Sequence, residues 1–275
     1  MTPQTSTHSS MQYVLATGES AVGRLNVLHR IYGPGSLQAV LRAGLDSGMA
    51  VADFGCGTGA MTRTLALRAG SGSVTGIDVH ADQLEEAKKA CAREGLFNTR
   101  FINADARRTG LESELFDLVY CRFLLLHLPN PFACLREMRR VLKPGGILVV
   151  EDGDLSSAES IPTTALNAFA DLFGRLGPVR GVDYSIANRL GHMVADAGFS
   201  QIGIRVHQPA ERAGASGLLL KWSVQEAGPA FVEAGLVTPD ELDRTLSEMD
   251  SAATDPEVLA LAPRMSSVWG RKLKP

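Results

Sequence analysis

The sequence predicts an α/β protein built on one mostly parallel sheet with helices packed on both faces. Short apolar runs alternate with amphipathic segments from about residue 45 to the C-terminus, and strand–helix alternation of this kind produces a parallel sheet. Hydrophobic residues make up 45% of the 275 residues, which is enough for one substantial core. A single domain with insertions is therefore expected rather than two domains.

Seven strands are predicted, and each is a short apolar run bounded by turn residues. The sixth run alternates apolar with other residues, a pattern typical of a half-buried strand. In parallel sheets of this type, ligands bind beyond the C-terminal ends of the strands. The seven runs are Met49–Phe54, Val74–Asp78, Arg100–Ala104, Phe116–Cys121, Ile147–Glu151, the segment with Ile202, Ile204 and Val206, and Ser267–Lys272.

The N-terminal region precedes the first predicted strand. Residues 1–10 are polar and are expected to be a disordered tail, and residues 11–44 are expected to be helical. Within that segment, Gly33-Pro34-Gly35 predicts a break between a helix at 19–31 and a short second helix. The remaining predicted parts are a core at 45–152, insertions at 153–184 and 208–264, and the rest of the core at 185–207 and 265–275.

Composition and charge exclude several classes of partner. The net charge is −3 and the isoelectric point is about 6.1, so no basic footprint for nucleic acid is expected. No apolar run is long enough to predict a membrane span. The four cysteines lack CxxC spacing, which predicts no metal site and indicates reduced, buried thiols in a cytoplasmic protein. The oligomeric state, monomer or homodimer, stays open.

A glycine-rich loop follows the first predicted strand in the segment VADFGCGTG, residues 51–59. Its glycines let the backbone approach a bulky ligand, and the next helix offers free N–H groups. Dinucleotide-binding proteins use a related loop. Two details favour S-adenosylmethionine instead: the spacing is G-x-G-x-G, and the Asp53 carboxylate would repel a pyrophosphate but suits a cationic ligand.

Two further carboxylates end the second and third predicted strands. Asp78 can accept hydrogen bonds from both hydroxyls of a ribose, although an N-cap of the next helix is the alternative. Asp105 can accept from the amino group of an adenine, although a turn-forming role is the alternative. Together with Asp53, they would suit a ligand that carries an amine, a ribose and an adenine.

Five segments resemble successive motifs of class I S-adenosylmethionine-dependent methyltransferases: VADFGCGTG, TGIDV, INADA, FDLVYCRFLLLHL and VLKPGGILVVED. The similarity is closest to the ubiquinone/menaquinone-type and natural-product small-molecule group, strong over 45–152 and weaker over 11–31. It implies a Rossmann-like seven-stranded mixed sheet with strand 7 antiparallel. It also implies a helical cap built from the two insertions, and an N-terminal segment that covers the cofactor, S-adenosyl-L-methionine.

The resemblance also implies which residues hold the cofactor. The glycine loop would wrap the methionyl part, the end of strand two would hold the ribose, and the end of strand three would frame the adenine. The end of strand four would flank the sulfonium. The implied cofactor-binding residues are Tyr13, Arg24, Asp53, Gly55, Cys56, Gly57, Asp78, Val79, Asp105, Ala106, Cys121 and Arg122.

His127 is the candidate catalytic base, because CRFLLLHL places it shortly after strand four. A base is needed only if the accepting atom carries a proton at the working pH, and a packed structural histidine is the alternative. Asp152 and Trp222 are candidate substrate contacts, with a solvated loop carboxylate as the alternative for Asp152.

The expected reaction is methyl transfer to a carbon, nitrogen or oxygen atom of a small molecule, such as a secondary metabolite or a quinone-like compound. The insertions are rich in apolar residues, and an apolar roof suits a partly hydrophobic acceptor. Alternatives are an RNA or protein methyltransferase, a methyltransferase-fold protein that binds without catalysis, and a nicotinamide oxidoreductase. The N/D-P-P-Y loop of nucleic-acid amino methylation is absent after strand four.

Overall fold

The structure is a computed structural model that describes Leu15 and residues 22–273. Within these residues the chain alternates strands and helices, as the sequence predicts. The helices are α1 Val22–Ala43, α2 Ala60–Ala69, α3 Ala81–Arg93, α4 Pro131–Val141, α5 Ala168–Arg180, α6 Leu190–Asp196, α7 Ala215–Glu233 and α8 Pro239–Thr254. The strands are β1 Ala50–Phe54, β2 Ser73–Asp78, β3 Thr99–Asn103, β4 Phe116–Arg122, β5 Leu142–Asp154, β6 Glu159–Ile161, β7 Phe199–His207, β8 Ala210–Arg212, β9 Leu259–Leu261 and β10 Arg264–Lys272.

Seven strands form one sheet in the order β3-β2-β1-β4-β5-β10-β7. Strands β1 to β5 pair in parallel, whereas β10 runs antiparallel to both β5 and β7. The predicted mixed sheet with an antiparallel last strand is therefore confirmed. The strand order changes direction between β1 and β4, and in α/β sheets this switch point opens a crevice at the strand ends.

The sheet is buried on both faces in its centre. Residues 51–54 of β1 and 118–121 of β4 are all buried, as expected for parallel strands covered by helices on either side. Helix α4 packs Leu135 and Met138 into one core layer, and α2 packs Leu65 into the layer on the other face. The core therefore fixes the strands rigidly and leaves their C-terminal ends to carry loops.

Helix α1 is continuous, so the predicted break at Gly33-Pro34-Gly35 is wrong. Proline in a helix interior costs about 3 kcal/mol, but here packing holds the helix together. A Cβ at Gly33 would lie 2.9 Å from the His29 ring, and a Cβ at Gly35 would lie 2.8 Å from His207 on β7. The glycines thus serve close packing against neighbouring side chains and do not end the helix.

The sixth strand of the sheet is half-buried, as predicted, but two of its apolar side chains lie on the exposed face. Ile204 and Val206 on β7 are 57% and 53% exposed. Strand β7 lies at the edge of the sheet, and the seven-residue α6 is too short to cover it. The apolar alternation therefore marks a strand, but it does not reveal how much of that strand is buried.

The two insertions join into one cap over the C-terminal ends of the strands. The first contributes β6 and α5, and the second contributes β8, α7, α8 and β9. Strands β6, β9 and β8 form a small antiparallel sheet, which a purely helical cap would lack. The cap is therefore a mixed α/β layer in which β9 ties the two insertions together. None of the helices within residues 22–273 is long and apolar enough to cross a membrane.

We expect Gly203→Ala to destabilise the protein by about 1–3 kcal/mol, because overpacking a filled site costs that much. A Cβ at Gly203 would lie 2.2 Å from the Trp269 ring on the paired strand β10. Gly174→Ala is the matched control, since Gly174 lies in α5 with open space around it. It should gain up to about 1 kcal/mol of helix propensity. Urea denaturation of both variants measures the difference, and equal stabilities would contradict the packing assignment.

Candidate functional site

A cavity of about 700 Å³ lies at the C-terminal ends of β1, β2 and β4, beneath α1 and the cap. Its volume is within the range of small-molecule sites. The sheet end of the wall comes from the loops that follow these strands and β3, and it carries Asp53, Asp78 and Asp105. The opposite end comes from the cap and carries aromatic residues. The sequence prediction that the three carboxylates face one ligand is thus consistent with the geometry.

The glycine loop is shaped by left-handed backbone conformations. Gly55, Gly57 and Gly59 have φ angles of 70°, 54° and 78°, which favour glycine over any other residue. The Gly55 and Cys56 amides both donate to the Ile77 carbonyl at the end of β2. Gly55, Cys56 and Gly57 all line the cavity, as predicted, so the loop presents its backbone to the space where a ligand would lie.

Asp53 ends β1 with a buried carboxyl group. It is 2% exposed, and the Thr62 hydroxyl donates a hydrogen bond of 2.6 Å to it. Burial raises the pKa of Asp53 to about 6, although the Thr62 hydrogen bond and the positive charge of Arg122 oppose the rise. A cationic ligand beside this carboxyl group would favour its ionised form.

Asp78 links the loop after β1 to the loop after β2. Its Oδ2 accepts from the Gly57 amide at 2.9 Å and its Oδ1 accepts from the His80 amide at 3.0 Å. Burial raises the pKa of Asp78. The alternative N-cap role falls to His80, which flanks α3 without a side-chain capping bond. A carboxylate has about four lone-pair sites, so both oxygens can also accept from a ligand.

Gln83 on α3 is a site residue that the sequence analysis missed. It is 5% exposed and lines the cavity, and its Oε1 has no hydrogen-bond partner among the described residues. A buried amide oxygen without a partner costs free energy, which a ligand hydroxyl or amine would recover. Because Oε1 would lie 3.7 Å from a Cβ at Gly57, it belongs to the same cradle as the glycine loop. These donors and acceptors fit the predicted cofactor.

Asp105 follows β3 and faces the rim of the cavity. Arg107 donates to its carboxylate through Nε and a terminal nitrogen, the shortest bond being 2.6 Å, and the Arg107 amide donates to Oδ1. The Arg107 guanidinium lowers the pKa of Asp105. The turn-forming alternative is therefore also present in the structure. Val79 and Ala106 line the same part of the wall, where the adenosyl part was predicted.

The alternation of side-chain directions along β4 corrects the prediction that Cys121 faces the cofactor. Tyr120 and Arg122 line the cavity, whereas Cys121 is fully buried in the core and does not line it. Successive side chains of a strand point to opposite faces, so Cys121 and Arg122 cannot share one face. Tyr120 donates a 2.5 Å hydrogen bond to Glu151, and Arg122 donates to the Ser36 hydroxyl of α1. Because side chains two residues apart on a strand share a face, the prediction of Arg122 could have identified Tyr120 as a second cavity-lining residue.

Asp152, the predicted substrate contact, does not reach the cavity wall. It is fully buried and accepts a hydrogen bond from the Leu125 amide at 3.0 Å. Strand β5 continues to Asp154, three residues beyond its predicted end, so Asp152 lies inside the sheet. Its Oδ2 thereby holds the start of the 3-10 turn Leu125–His127, whereas its Oδ1 is buried without a hydrogen-bond partner among the described residues.

His127, the candidate base, lines the cavity. Its ring meets Tyr184 edge to face at a centroid distance of 6.1 Å. Burial lowers the pKa of His127 to about 3, and the positive charges of Arg24 and Arg180 contribute. The imidazole is therefore neutral at physiological pH and is a weak base, better suited to a hydrogen bond than to storing a proton.

The cap wall is aromatic. Phe173 packs against Phe169 and Tyr184 at centroid distances of 4.8 and 5.3 Å, and all three line the cavity. Trp222 does not line it, contrary to the prediction; Leu219 and Ser223 of α7 do. The helical step of about 100° turns Trp222 away from the face that carries Ser223. Proximity in sequence therefore selected the right helix but the wrong side chain.

Two basic residues complete the cap end. Arg24 of α1 is 4% exposed and its Nε donates to Glu226 of α7 at 2.7 Å. Arg180, at the end of α5, also lines the cavity and was not identified from the sequence, because no motif surrounds it. Arg24 lies in the wall, as the sequence implied, but it is tied to a cap helix. Tyr13 lies outside the described residues.

Comparison with known proteins agrees with this geometry. Residues 52–150 match the model of the methyltransferase domain family. A demethylmenaquinone methyltransferase of Staphylococcus aureus (strain MRSA252) is 40% identical over 107 residues, which cover 38% of this chain and 44% of that protein. A relative of the same description from strain JH9 is 38% identical over the same length. The chain thus spans less than half the length of the curated relatives it matches.

Solved structures share the whole sheet. A Bacillus halodurans protein has a TM-score of 0.62 at 20% identity and covers 87% of this chain and 100% of its own. The YcgJ protein of Bacillus subtilis has a TM-score of 0.61 at 18% identity, with coverages of 88% and 99%. Identities this low show the fold alone. The comparisons therefore show a match to the methyltransferase domain family over residues 52–150 and, beyond those residues, a similarity of fold.

We expect His127 to make the folded protein sensitive to acid. A histidine whose pKa is lowered by folding contributes stability that is full above its unfolded value of 6.5 and is lost as pH falls toward the folded value. With a folded pKa of about 3, the loss between pH 7 and pH 4.5 is about 3 kcal/mol. Urea denaturation at both pH values should show a smaller drop for His127→Gln than for wild type. An equal decrease in the free energy of unfolding for wild type and His127→Gln would contradict the burial of a neutral imidazole.

Proposed function

We propose that this protein transfers the methyl group of S-adenosyl-L-methionine to a small, partly apolar acceptor. One observation carries the proposal: a single cavity joins a carboxylate-lined glycine cradle to an aromatic cap. The cradle suits a cationic adenosyl ligand and the cap suits an apolar acceptor beside it. The names of the Staphylococcus aureus relatives, which are demethylmenaquinone methyltransferases, support a quinone-like acceptor.

The cofactor would lie across the ends of β1 to β4. The glycine loop and Asp53 would surround the methionyl part, Asp78 with Val79 would accept from the ribose, and Asp105 with Ala106 would border the adenine. The unpartnered Gln83 oxygen would accept a further ligand hydrogen. A solved relative in fold, phosphoethanolamine N-methyltransferase 2 of Haemonchus contortus, was determined with S-adenosylhomocysteine, and its TM-score of 0.58 supports this placement.

The protein's contribution to the reaction would be alignment and exclusion of water. When bound, the cofactor supplies an electrophilic methyl group on a positively charged sulfur. Phe169, Phe173 and Tyr184 would hold the acceptor in line with that group, which lowers the entropic part of the barrier. His127, neutral and weakly basic, would donate or accept a hydrogen bond that orients the accepting atom.

We further propose that the protein acts in the cytoplasm. All four cysteines are free and buried, which fits a reducing compartment. The partner we propose is a small-molecule acceptor, because the aromatic end of the cavity is covered by α5 and α7 of the cap. A macromolecular substrate would have to reach the methyl group through that cover.

Two measurements test the proposal. The protein is first titrated with S-adenosyl-L-methionine. It is then incubated with labelled cofactor and with quinols, phenols and amines that are small enough for the cavity. Transfer of label to a small acceptor supports it. Nicotinamide dinucleotide binding without adenosylmethionine binding would instead favour the oxidoreductase alternative.

Asp78→Ala should weaken S-adenosyl-L-methionine binding by about 100-fold, because two charge-assisted hydrogen bonds of about 1.5 kcal/mol each are lost. His127→Ala is the matched control in the same cavity and should leave the affinity within about twofold while lowering turnover. Calorimetry measures both affinities, and circular dichroism checks that the variants fold. A folded Asp78→Ala protein with wild-type affinity would remove Asp78 from the cofactor site.

The affinity for S-adenosyl-L-methionine should fall as pH drops below about 6. The pKa of Asp53 is about 6 in the free protein, and a cationic ligand binds its ionised form better. Each further pH unit should weaken binding by up to about tenfold. Since the pKa of Asp78 is also raised, Asp53→Asn is needed to separate the two carboxyl groups. A variant with the wild-type pH profile would show that Asp53 does not face the cationic part.

A further inference from the structure

The cap end of the cavity contains a buried positive group whose hydrogen-bonding capacity is unfilled. Arg24 lines the cavity, and one of its terminal nitrogens, Nη2, is fully buried without a hydrogen-bond partner among the described residues. A guanidinium carries five N–H donors in a fixed fork. An unpartnered buried donor costs free energy, which an acceptor atom of a ligand would recover.

We propose that Arg24 forms an anion subsite that recognises an ionised oxygen, carboxylate or enolate, on an apolar ring of the methyl acceptor. This proposal rests on the proposed methyl transfer and names the chemistry of its acceptor. The ion pair with Glu226 at 2.7 Å fixes the guanidinium against α7. The same helix contributes Leu219 and Ser223 to the cavity wall, so Arg24 is positioned by the cap.

The ion pair with Glu226 of α7 places Arg24 beside the cap, and the charges that act on neighbouring groups agree with this position. The positive charge that acts on the buried Asp53 is that of Arg122, and Asp105 is paired with Arg107. Arg24 and Arg180 instead act on His127 and lower its pKa. Arg122, whose charge acts on Asp53, can therefore meet the methionyl carboxylate. Arg24 and Arg180 lie around the histidine.

The surroundings of the subsite define the rest of the ligand. Tyr184 meets His127 edge to face, and Phe173 and Phe169 continue the wall beyond it. Aromatic edges and faces of this kind pack well against a planar ring. A flat apolar ring with one acidic oxygen would thus place the ring against these three residues and the oxygen toward Arg24.

This subsite also resolves how an acceptor is activated beside a weak base. A guanidinium next to an acidic oxygen stabilises the ionised form and lowers the pKa of that group. The acceptor then binds as an anion, having left its proton in solvent. An electron pair of the anion forms the bond to the methyl carbon while the carbon–sulfur bond breaks, and that pair stays on sulfur. A negative acceptor and a positive sulfonium yield two neutral groups, so no proton has to reach His127.

Calorimetry tests the proposal. The full chain is saturated with S-adenosylhomocysteine and is then titrated with 1-naphthoate and, separately, with its neutral analogue 1-naphthamide. We expect naphthoate to bind at least about tenfold more tightly, since charge-assisted hydrogen bonds are about twice as strong as neutral ones. In Arg24→Gln the two affinities should become equal within about twofold. The affinity for S-adenosylhomocysteine should stay within about twofold of wild type, because the proposal assigns Arg24 to the acceptor and not to the cofactor. Arg68→Gln, an exposed residue of α2, controls for the loss of one positive charge and should keep the wild-type preference.

The outcomes separate the alternatives. Equal binding of the two probes to wild type, or binding of neither, overturns the anion subsite without recourse to any variant. A tenfold loss of S-adenosylhomocysteine affinity in Arg24→Gln, with the naphthoate preference intact, would assign Arg24 to the methionyl carboxylate and also overturns it. If wild type fails to bind S-adenosylhomocysteine, the proposed function fails. The same pair of probes, titrated into the cofactor-free protein, then decides the subsite separately.

Discussion

The hydrogen bond from the Gly57 amide to the Asp78 carboxylate holds together the part of the fold on which the site depends. It ties the loop after β1 to the end of β2 at 2.9 Å, and the second oxygen of Asp78 holds the start of α3 through the His80 amide. Because Gly55, Gly57 and Gly59 have left-handed φ angles, the loop can turn sharply enough to reach Asp78. One carboxylate thereby fixes two loops while its remaining lone pairs face the cavity.

The second constraint is the distribution of charge along the cavity. Asp53, Asp78 and Asp105 stand at the sheet end together with Arg107 and Arg122, whereas the basic residues Arg24 and Arg180 stand at the cap end. Burial strengthens the effect of each charge, because the surroundings screen it poorly. A cationic ligand would therefore bind at the sheet end and an anionic ligand at the cap end, so that the two face each other in the cavity. Methyl transfer between them removes both charges, which a site with little water accommodates well.

The sequence predicted the sheet and the cradle, because both depend on local spacing. The glycine loop requires particular residues at 55, 57 and 59, and strand ends place Asp53, Asp78 and Asp105 at one edge of a parallel sheet. Three site predictions failed for one physical reason. Cys121, Asp152 and Trp222 lie near the cavity in sequence, but alternation along β4 and β5 and the helical step in α7 decide which side chain faces it.

What the sequence determined by itself is the order of the core strands, the antiparallel last strand through its resemblance to a family, and the glycine loop and carboxylates of the cradle. Only the tertiary structure decided that α1 continues through Pro34, that β9 unites the two insertions, and that Arg24 is paired with Glu226, 202 residues along the chain. The physical reason is the range of the interactions. Turn geometry and strand ends are encoded within a few neighbouring residues, but the composition of a cap wall depends on packing between segments that no local pattern relates.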